Sequence, residues 1–205
     1  MRYSKRVTVA DSAMSFPEHR GSGGNGYLFE VRQSSEILFR DSVARGGRHN
    51  FIQNWGFGAS GIVWLRVHSL ESNMLGSVDF PFFEVPTASE FHHSLAMACL
   101  IDASVIDDAW KAENRRKYSS GAGHSVTQSV FWNVTGGGWL TSRQAGWGYV
   151  IGTAAGMSVK TSLTASAGKY TEPEDWVEGE GAATVLEPPS LYDDQRARRL
   201  AAAAE

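Results

Sequence analysis

The sequence predicts an all-β fold, a parallel β-helix (solenoid) closed by a short C-terminal capping segment. Three observations predict it: a short strand-like motif recurs, glycine clusters separate its copies, and apolar residues alternate as in short strands. Self-similarity at intervals of roughly 20 to 50 residues marks a solenoid, whose units bury their apolar faces against their neighbours. The motif covers 7–12, 37–42, 64–69, 100–104 and 124–129, and its closing serines are 30, 27, 35 and 25 residues apart. We therefore expect Ser42, Ser69 and Ser129 to lie on one line down the stack.

The glycines are predicted to form the corners of this stack. The chain has 22 of them, concentrated between the strand motifs at 21–26, 46–47, 56–61, 121–123 and 136–138. Glycine adopts positive φ without steric cost, as a sharp reversal of the chain requires.

The domain organisation follows from where the rhythm breaks. Residues 1–168 are expected to form the β-helix, and residues 169–205 its cap and tail. Two segments are expected to leave the stack: 76–91, with prolines and consecutive aromatics, and 109–120, which is rich in charge. Ser190 followed by Asp193 has the spacing of a helix N-cap, which predicts a short terminal helix.

Composition excludes several classes of partner. The formal net charge is −3 with a pI near 6.1, and the basic residues are mostly scattered, so no nucleic-acid partner is predicted. No apolar run reaches the roughly 18 residues of a membrane span. Cys99 stands alone between apolar neighbours and is predicted to be a buried hydrophobe. A strand motif begins at residue 7 with no apolar signal core before it, so we expect upstream coils in a longer chain and an exposed apolar edge at Val7 and Val9.

Several segments carry a resemblance to a known family. The closing block 175–179 to 189–195, together with 130–136 and 142–153, resembles the C-terminal part of carbohydrate-active members of the pectate-lyase-like right-handed parallel β-helix superfamily. The resemblance implies a right-handed helix, a polysaccharide partner, with uronate-containing polymers among the candidates, and an extracellular or periplasmic location. The Arg-x-Pro-x-x-Arg motif of the calcium-dependent lyases is absent. Asp107-Asp108 and Gly123-His124-Ser125 approach the arrangement of the pectin hydrolases, with serine in place of the last glycine.

The function predicted from these residues is polysaccharide cleavage by β-elimination. That chemistry needs a cation to neutralise the uronate carboxylate, a base to take the C5 proton and an acid to protonate the leaving oxygen. Histidine, tyrosine and arginine supply these roles, although strand-end histidines also cap turns. The predicted catalytic residues are Arg48, His49, His93, Tyr118 and His124, and the predicted substrate-binding residues are Asn50, His68, Trp110, Arg115, Arg143 and Trp147.

Two alternatives stay open. Asp107 and Asp108 could serve a glycoside hydrolase, and a non-catalytic glycan-binding or structural β-helix needs no catalytic set at all. No cofactor is predicted. Asp11, Asp41 and Asp102 recur at like positions and could hold Ca²⁺, but turn capping is the better explanation. Metal ligation by His92 and His93 is not expected, because adjacent residues of a strand point to opposite faces.

Overall fold

The protein is described by a computed structural model, which covers residues 1–21, 23–76, 82–162 and 173–204. The all-β prediction is confirmed, because most regular structure is strand and the large sheets are parallel. The predicted domain boundary at 168/169 and residues 77–81 of the first predicted excursion lie outside the described residues.

Three parallel sheets contain all but two of the strands in the described part of the chain. The first contains β1 (Lys5–Ala10), β4 (Ser35–Arg40), β7 (Ala59–Leu65), β12 (Ala96–Met97), β13 (Leu100–Asp102), β16 (Val126–Thr127), β17 (Val130–Val134), β19 (Tyr149–Thr153) and β21 (Trp176–Glu178). The second contains β3 (Tyr27–Val31), β6 (His49–Gln53), β11 (Ser89–Phe91), β15 (Ala109–Glu113), β18 (Trp139–Arg143) and β20 (Ser158–Lys160). The third contains β2 (Ala13–Ser15), β5 (Val43–Arg45), β8 (His68–Leu70) and β14 (Val105–Ile106).

The chain visits the first, third and second sheets in turn and then returns to the first. Each strand pairs in parallel with its counterpart from the next pass, as Val7 does with Ile37 and Ile37 with Ile62. In the third sheet the paired positions are 13, 43, 68, 105 and 135, so successive passes take 30, 25, 37 and 30 residues. These unequal passes bring residues that are distant in sequence into adjacent strands.

The expected single line of serines is wrong. Val43 pairs with His68, so Ser42 stands beside Val67, and Ser69 falls two positions later. Ser129 stands beside Cys99 at the start of a first-sheet strand, where its Oγ accepts from the Cys99 amide at 3.0 Å. The second pass is shorter than the serine spacing suggests, and the third and fourth passes are longer. The serine spacing therefore predicts the approximate length of a pass correctly, but not which residues of successive passes lie side by side.

One corner of the passes is made mostly by residues other than glycine. Aligned positions at or near the ends of the first-sheet strands adopt positive φ in successive passes, with values between 47° and 53° at the non-glycine members. The left-handed conformation costs each non-glycine residue about 1 kcal/mol, and the packing of the neighbouring passes must offset this cost. The members of this row are Asp11, Asp41, Arg66, Ala103, Asn133 and Gly152. Asp11 and Asp41 are thus corner residues, whereas Asp102 lies in β13, so the three do not form a carboxylate ladder for Ca²⁺.

The core is a column of aromatic side chains inside the three sheets. Phe29 stacks on Phe51 at 5.2 Å between ring centroids, and Phe51 stacks on Trp110 at 5.9 Å. Trp64 meets Trp110 edge to face at 5.3 Å. Trp110 is fully buried, which contradicts its predicted role in stacking on a sugar. The burial of Cys99 confirms its prediction as a core residue.

The second predicted excursion starts later than expected. Ala109–Glu113 is strand β15. The buried side chains of Trp110 and Ala112 belong to the core and alternate along the strand with the more exposed Lys111 and Glu113. The chain leaves the sheets after β15 through the helical turn α1 (Tyr118–Gly121). The first excursion also differs from its predicted bounds of 76–91. Strand β9 (Asn73–Leu75) lies just before it and pairs antiparallel with β10 (Glu84–Pro86), and residues 89–91 are already strand β11 of the second sheet.

The predicted terminal helix is confirmed. Helix α2 spans Leu191–Ala202, and its N-cap Ser190 accepts a hydrogen bond from the Asp193 amide at 3.2 Å. A 3₁₀ turn at Ala183–Val185 precedes it. The buried carboxylate of Asp102 also accepts from Ser190 Oγ at 2.7 Å and from the Tyr192 amide at 2.8 Å, which fixes the helix start to β13. Neither helix among the described residues is long and apolar enough to cross a membrane.

The N-terminal strand packs only partly against the core. Val7 and Val9 contact the core cluster but remain partly exposed. Nearby, Tyr3 and Phe16 are largely exposed. The expected apolar edge is therefore made more by these aromatic side chains than by the two valines.

Candidate functional site

A polar cleft of about 470 Å³ lies where β3, β6, the turn after β11 and α1 come together. The six lining residues that could take part in its chemistry come from four separate passes of the chain, and the parallel pairing of strands places these passes side by side. These residues are Tyr27, Arg48, Trp55, His92, His93 and Ser119.

The carboxylate of Glu90 is the buried centre of the site. Its Oε1 lies 3.2 Å from His49 Nε2 and contacts His92 Nδ1 more closely, while its Oε2 accepts from Arg115 Nη1 at 2.5 Å. Burial alone would raise the pKa of Glu90, but the two histidines and the guanidinium hold it well below its usual range. Glu90 is therefore an ionised carboxylate in an enclosed position.

His49 lies beneath the cleft. Its Nδ1 is 2.6 Å from the carbonyl oxygen of Ala88, which can only accept, so Nδ1 carries a hydrogen. Burial lowers the pKa of His49 to about 4, and the ring is neutral at pH 7. Its Nε2 is then the atom with the lone pair, and it makes no hydrogen bond with any residue that the structure describes.

Ser119, His92 and Glu90 form a continuous hydrogen-bonded chain. Ser119 Oγ lies 3.2 Å from His92 Nε2, and His92 Nδ1 contacts Glu90. Arg115 Nη2 donates to Ser119 Oγ at 3.0 Å, so the hydroxyl hydrogen is left to point at His92. A nucleophile, a base and a carboxylate that orients the base are the parts of an acyl-transfer triad.

The backbone of α1 holds Ser119 in an unusual conformation. Ser119 has φ 51° and Ser120 has φ 64°, both in the left-handed region that costs residues other than glycine about 1 kcal/mol or more. Triad nucleophiles often lie on such strained turns, which present the side chain to the substrate.

His93 fastens this turn to the neighbouring passes. Its Nδ1 is 2.7 Å from Asn54 Oδ1, its Nε2 is 2.9 Å from the Ser119 carbonyl oxygen, and its ring stacks on Trp55 at 3.9 Å. Both nitrogens face acceptors, and partial burial lowers the pKa of the ring. The neutral ring donates to one acceptor, and a proton gained by His93 would let it donate to both.

Arg48 and Tyr27 form the opposite wall of the cleft. The Arg48 guanidinium lies over the Tyr27 ring, 5.7 Å from its centroid. Arg48 Nε is buried and has no hydrogen-bond partner in the described part of the chain, so it is a free donor beside the cleft. Burial raises the pKa of Tyr27, which keeps its phenol protonated.

The structure brings some of the predicted site residues together. Arg48 and His93 line the cleft, and His49 lies below it. Arg115 joins the Glu90 network, and the exposed Tyr118 lines an adjoining groove of about 240 Å³ with Arg115. His124 is not among the residues that line the cleft; its Nε2 lies 3.3 Å from Asn114 Nδ2.

Other predicted binding residues are in structural positions. Asn50 is buried and donates to Asp108 at 2.9 Å, which contradicts a role in substrate contact. Arg143 is buried in an ion pair with Glu113 at 3.0 Å, which contradicts the same expectation. His68 pairs with Asp107 at 2.7 Å in the third sheet.

The remaining predicted residues are not in the cleft either. Asp108 is partly buried, and its carboxylate accepts from Asn50, Ser69 and Ser72 and so is engaged in local structure. Trp147 is half exposed but is not among the residues of the cleft.

Sequence reasoning missed Glu90, Ser119, Tyr27 and the part played by His92. His92 and His93 do not lie within one strand, contrary to the expectation from their adjacent positions. Instead, β11 ends at Phe91, and the ring centroids of the two histidines lie 4.9 Å apart. The pair Ser119-Ser120 before Gly121 is a tight-turn signal that could have drawn attention to α1.

No family model, curated protein or solved structure matches the chain. The chemistry of the cleft is therefore inferred from its own geometry: a hydroxyl nucleophile with a base, a buried carboxylate and two guanidinium groups.

Proposed function

We propose that this protein is a carbohydrate-active hydrolase that removes ester-linked acyl groups from a polysaccharide. The observation that carries the proposal is the chain from Ser119 Oγ to His92 Nε2, at 3.2 Å, and from His92 Nδ1 to Glu90. A nucleophile within hydrogen-bond reach of a base, which a third group orients, is the geometric signature of nucleophilic catalysis.

The reaction would run through an acyl-enzyme. Ser119 Oγ attacks the ester carbonyl carbon while its proton moves to His92 Nε2, and the sugar hydroxyl leaves with that proton. Water then attacks the acyl group, His92 takes a proton from that water, and Ser119 regains the proton as the acid departs. Arg115 donates to Ser119 Oγ at 3.0 Å and so stabilises negative charge on that oxygen.

A polysaccharide is the proposed partner. Support comes from the resemblance of 130–136 and 142–153 to pectate-lyase-like proteins and from the open, polar cleft beside the half-exposed Trp55. The proposal takes the fold to be a right-handed parallel β-helix. In-register parallel pairing and the repeated order of three sheets favour it. Export to the periplasm or the medium, where such polymers occur, belongs to the same proposal.

A lyase is the second candidate, and a specific observation favours it. Arg48 offers the unpartnered Nε to a uronate carboxylate, and the protonated Tyr27 phenol lies beside it as an acid. His93 would be the base, after one of its ring nitrogens leaves the Asn54 side chain or the Ser119 carbonyl oxygen. This arrangement uses the same cleft, but β-elimination leaves Ser119 without a chemical role.

The test is release of acid from acylated polymers. Acetate would be measured from acetylated xylan and acetylated pectin, and p-nitrophenol from p-nitrophenyl acetate, for the wild type and for Ser119→Ala and His92→Gln. We expect each variant to lose about a thousandfold or more in kcat. Ser120→Ala, in the same left-handed turn, is the matched control and should keep near-wild-type activity.

The other candidates give other signals. A lyase would yield an unsaturated sugar with new ultraviolet absorbance, independent of Ser119, and a glycoside hydrolase would yield reducing ends alone. Binding without any product would identify a non-catalytic glycan-binding protein. Ester hydrolysis that survives Ser119→Ala would reject the proposed nucleophile.

A further inference from the structure

We propose that His49 Nε2, Glu90 Oε1 and His92 Nδ1 form a binding site for a divalent transition-metal ion such as Zn²⁺. The three ligand atoms lie within 4.8 Å of one another, and all three residues are buried. The metal site stands on this geometry and does not depend on the proposed hydrolase function.

The ligand set and its dimensions suit such an ion. Two imidazole nitrogens and one carboxylate oxygen are a common protein set for Zn²⁺, with bonds of about 2.0 to 2.2 Å. Two ligands of one ion are therefore at most about 4 Å apart. His49 Nε2 is already 3.2 Å from Glu90 Oε1, within that limit, and a small adjustment of the two rings places all three atoms around one ion.

The strongest argument is the unpartnered nitrogen of His49. The side chain is 7% exposed, and its Nδ1 donates to the Ala88 carbonyl. The Nε2 atom lies 3.2 Å from Glu90 Oε1, yet it makes no hydrogen bond with any residue that the structure describes. A cation between them turns both atoms into ligands.

The surrounding hydrogen bonds match those of metal-binding histidines. Such a histidine usually donates its other ring N–H to an oxygen, which fixes the ring and its tautomer. His49 Nδ1 has the Ala88 carbonyl at 2.6 Å, and His92 Nε2 has Ser119 Oγ at 3.2 Å. Arg115 holds the second oxygen of Glu90 at 2.5 Å, which leaves Oε1 for the ion.

The site has a consequence for Ser119, which does rest on the proposed function. His92 Nδ1 either carries a hydrogen toward Glu90 or binds the ion, because it has one available position. With the ion bound, Nε2 is the protonated nitrogen and donates to Ser119, so it cannot take the serine proton. Zn²⁺ would therefore inhibit ester hydrolysis by competing with a proton for the same atom.

Metal binding can be measured without any enzymatic assay. The full chain, freed of metal with EDTA and dialysed, would be titrated with Zn²⁺ by calorimetry and with Co²⁺ by visible absorbance. We expect one equivalent to bind, with a Co²⁺ spectrum typical of nitrogen and oxygen ligands. His49→Gln and Glu90→Gln should weaken binding by about a hundredfold or more, whereas His124→Gln, outside the cluster, should leave it unchanged.

Two measurements distinguish a loss of metal binding from a loss of folding. The Co²⁺ spectrum of the wild type reports the ligand type even if a buried variant is unstable, and circular dichroism identifies such a variant. Failure of the wild type to bind either ion stoichiometrically would overturn the proposal, as would equal affinity in folded His49→Gln and in the control.

The two proposals fail separately. Stoichiometric metal binding without any ester hydrolysis would reject the hydrolase and keep the metal site. Ester hydrolysis with no metal binding would do the reverse. If both hold, Zn²⁺ should inhibit the wild type, and EDTA should reverse the inhibition.

Discussion

Ser119 Oγ and His92 Nε2 lie 3.2 Å apart although 27 residues separate them in the chain. The contact exists because His92 follows β11 in one pass, while Ser119 follows β15 in the next pass of the same sheet. Arg115 and Glu90 close the network around this pair.

The first prediction concerns the fork of Arg115. One guanidinium nitrogen contacts Glu90 and the other contacts Ser119, at 2.5 and 3.0 Å. Arg115→Lys keeps the charge but supplies only one of these contacts, so kcat for ester hydrolysis should fall about 10- to 100-fold. Lys117→Met, on the exposed side of the same turn, is the control. Equal activity of Arg115→Lys and the wild type would show that the fork does not serve the reaction.

The second prediction concerns stability against pH in the metal-free protein. Burial lowers the pKa of His49 from 6.5 to about 4, so between these values the unfolded chain binds more protons than the folded one. The free energy of unfolding should therefore fall as pH drops through this window, by up to about 3 kcal/mol. The pKa of Glu90 is also lowered, and its contribution is lost below its ordinary value of 4.5.

Urea unfolding between pH 7 and pH 4 measures this dependence. His49→Gln, which cannot take up a proton, should flatten the decline above pH 5. An unchanged slope in that variant would assign the decline to other groups.

The third prediction concerns Trp110. The ring is fully buried between Phe51 and Trp64. Trp110→Ala should lower the free energy of unfolding by about 3 to 5 kcal/mol because it leaves a large cavity. Trp147→Ala, at a half-exposed indole, should change it by about 0.5 kcal/mol or less. Chemical denaturation of both variants checks this, and a small loss at Trp110 would contradict its place in the core.

The fourth prediction concerns the single thiol. Cys99 is buried, and burial raises the pKa of its thiol to about 12. A thiol reagent should therefore leave the folded protein unlabelled and modify Cys99 at the rate at which the chain opens. Rapid labelling under native conditions, before any loss of circular dichroism, would disagree with the position of Cys99 between β7 and β17.

The parts of the fold that local patterns determine could be predicted from the sequence. Repeated short strands and the Ser190 N-cap are local signals, and both are found. Trp110 and Ala112 alternate with Lys111 and Glu113, a period-two signal for a strand that the charge of the segment obscured.

The site is different, because it depends on register. Glu90 meets His49 and Arg115 only when passes of unequal length are aligned, and the pass from 68 to 105 is 37 residues long where the one before it is 25. No short-range pattern encodes such offsets, so the histidines were noticed while their carboxylate partner was not.

Covalent labelling can show whether Ser119 is an activated nucleophile. The folded protein would be treated with a fluorophosphonate probe and digested, and the modified peptide would be sequenced by mass spectrometry. We expect one adduct, on Ser119 and not on Ser120, and a strong loss of labelling in folded His92→Gln. Absence of any adduct, or an adduct on Ser120 that persists in His92→Gln, would contradict this expectation.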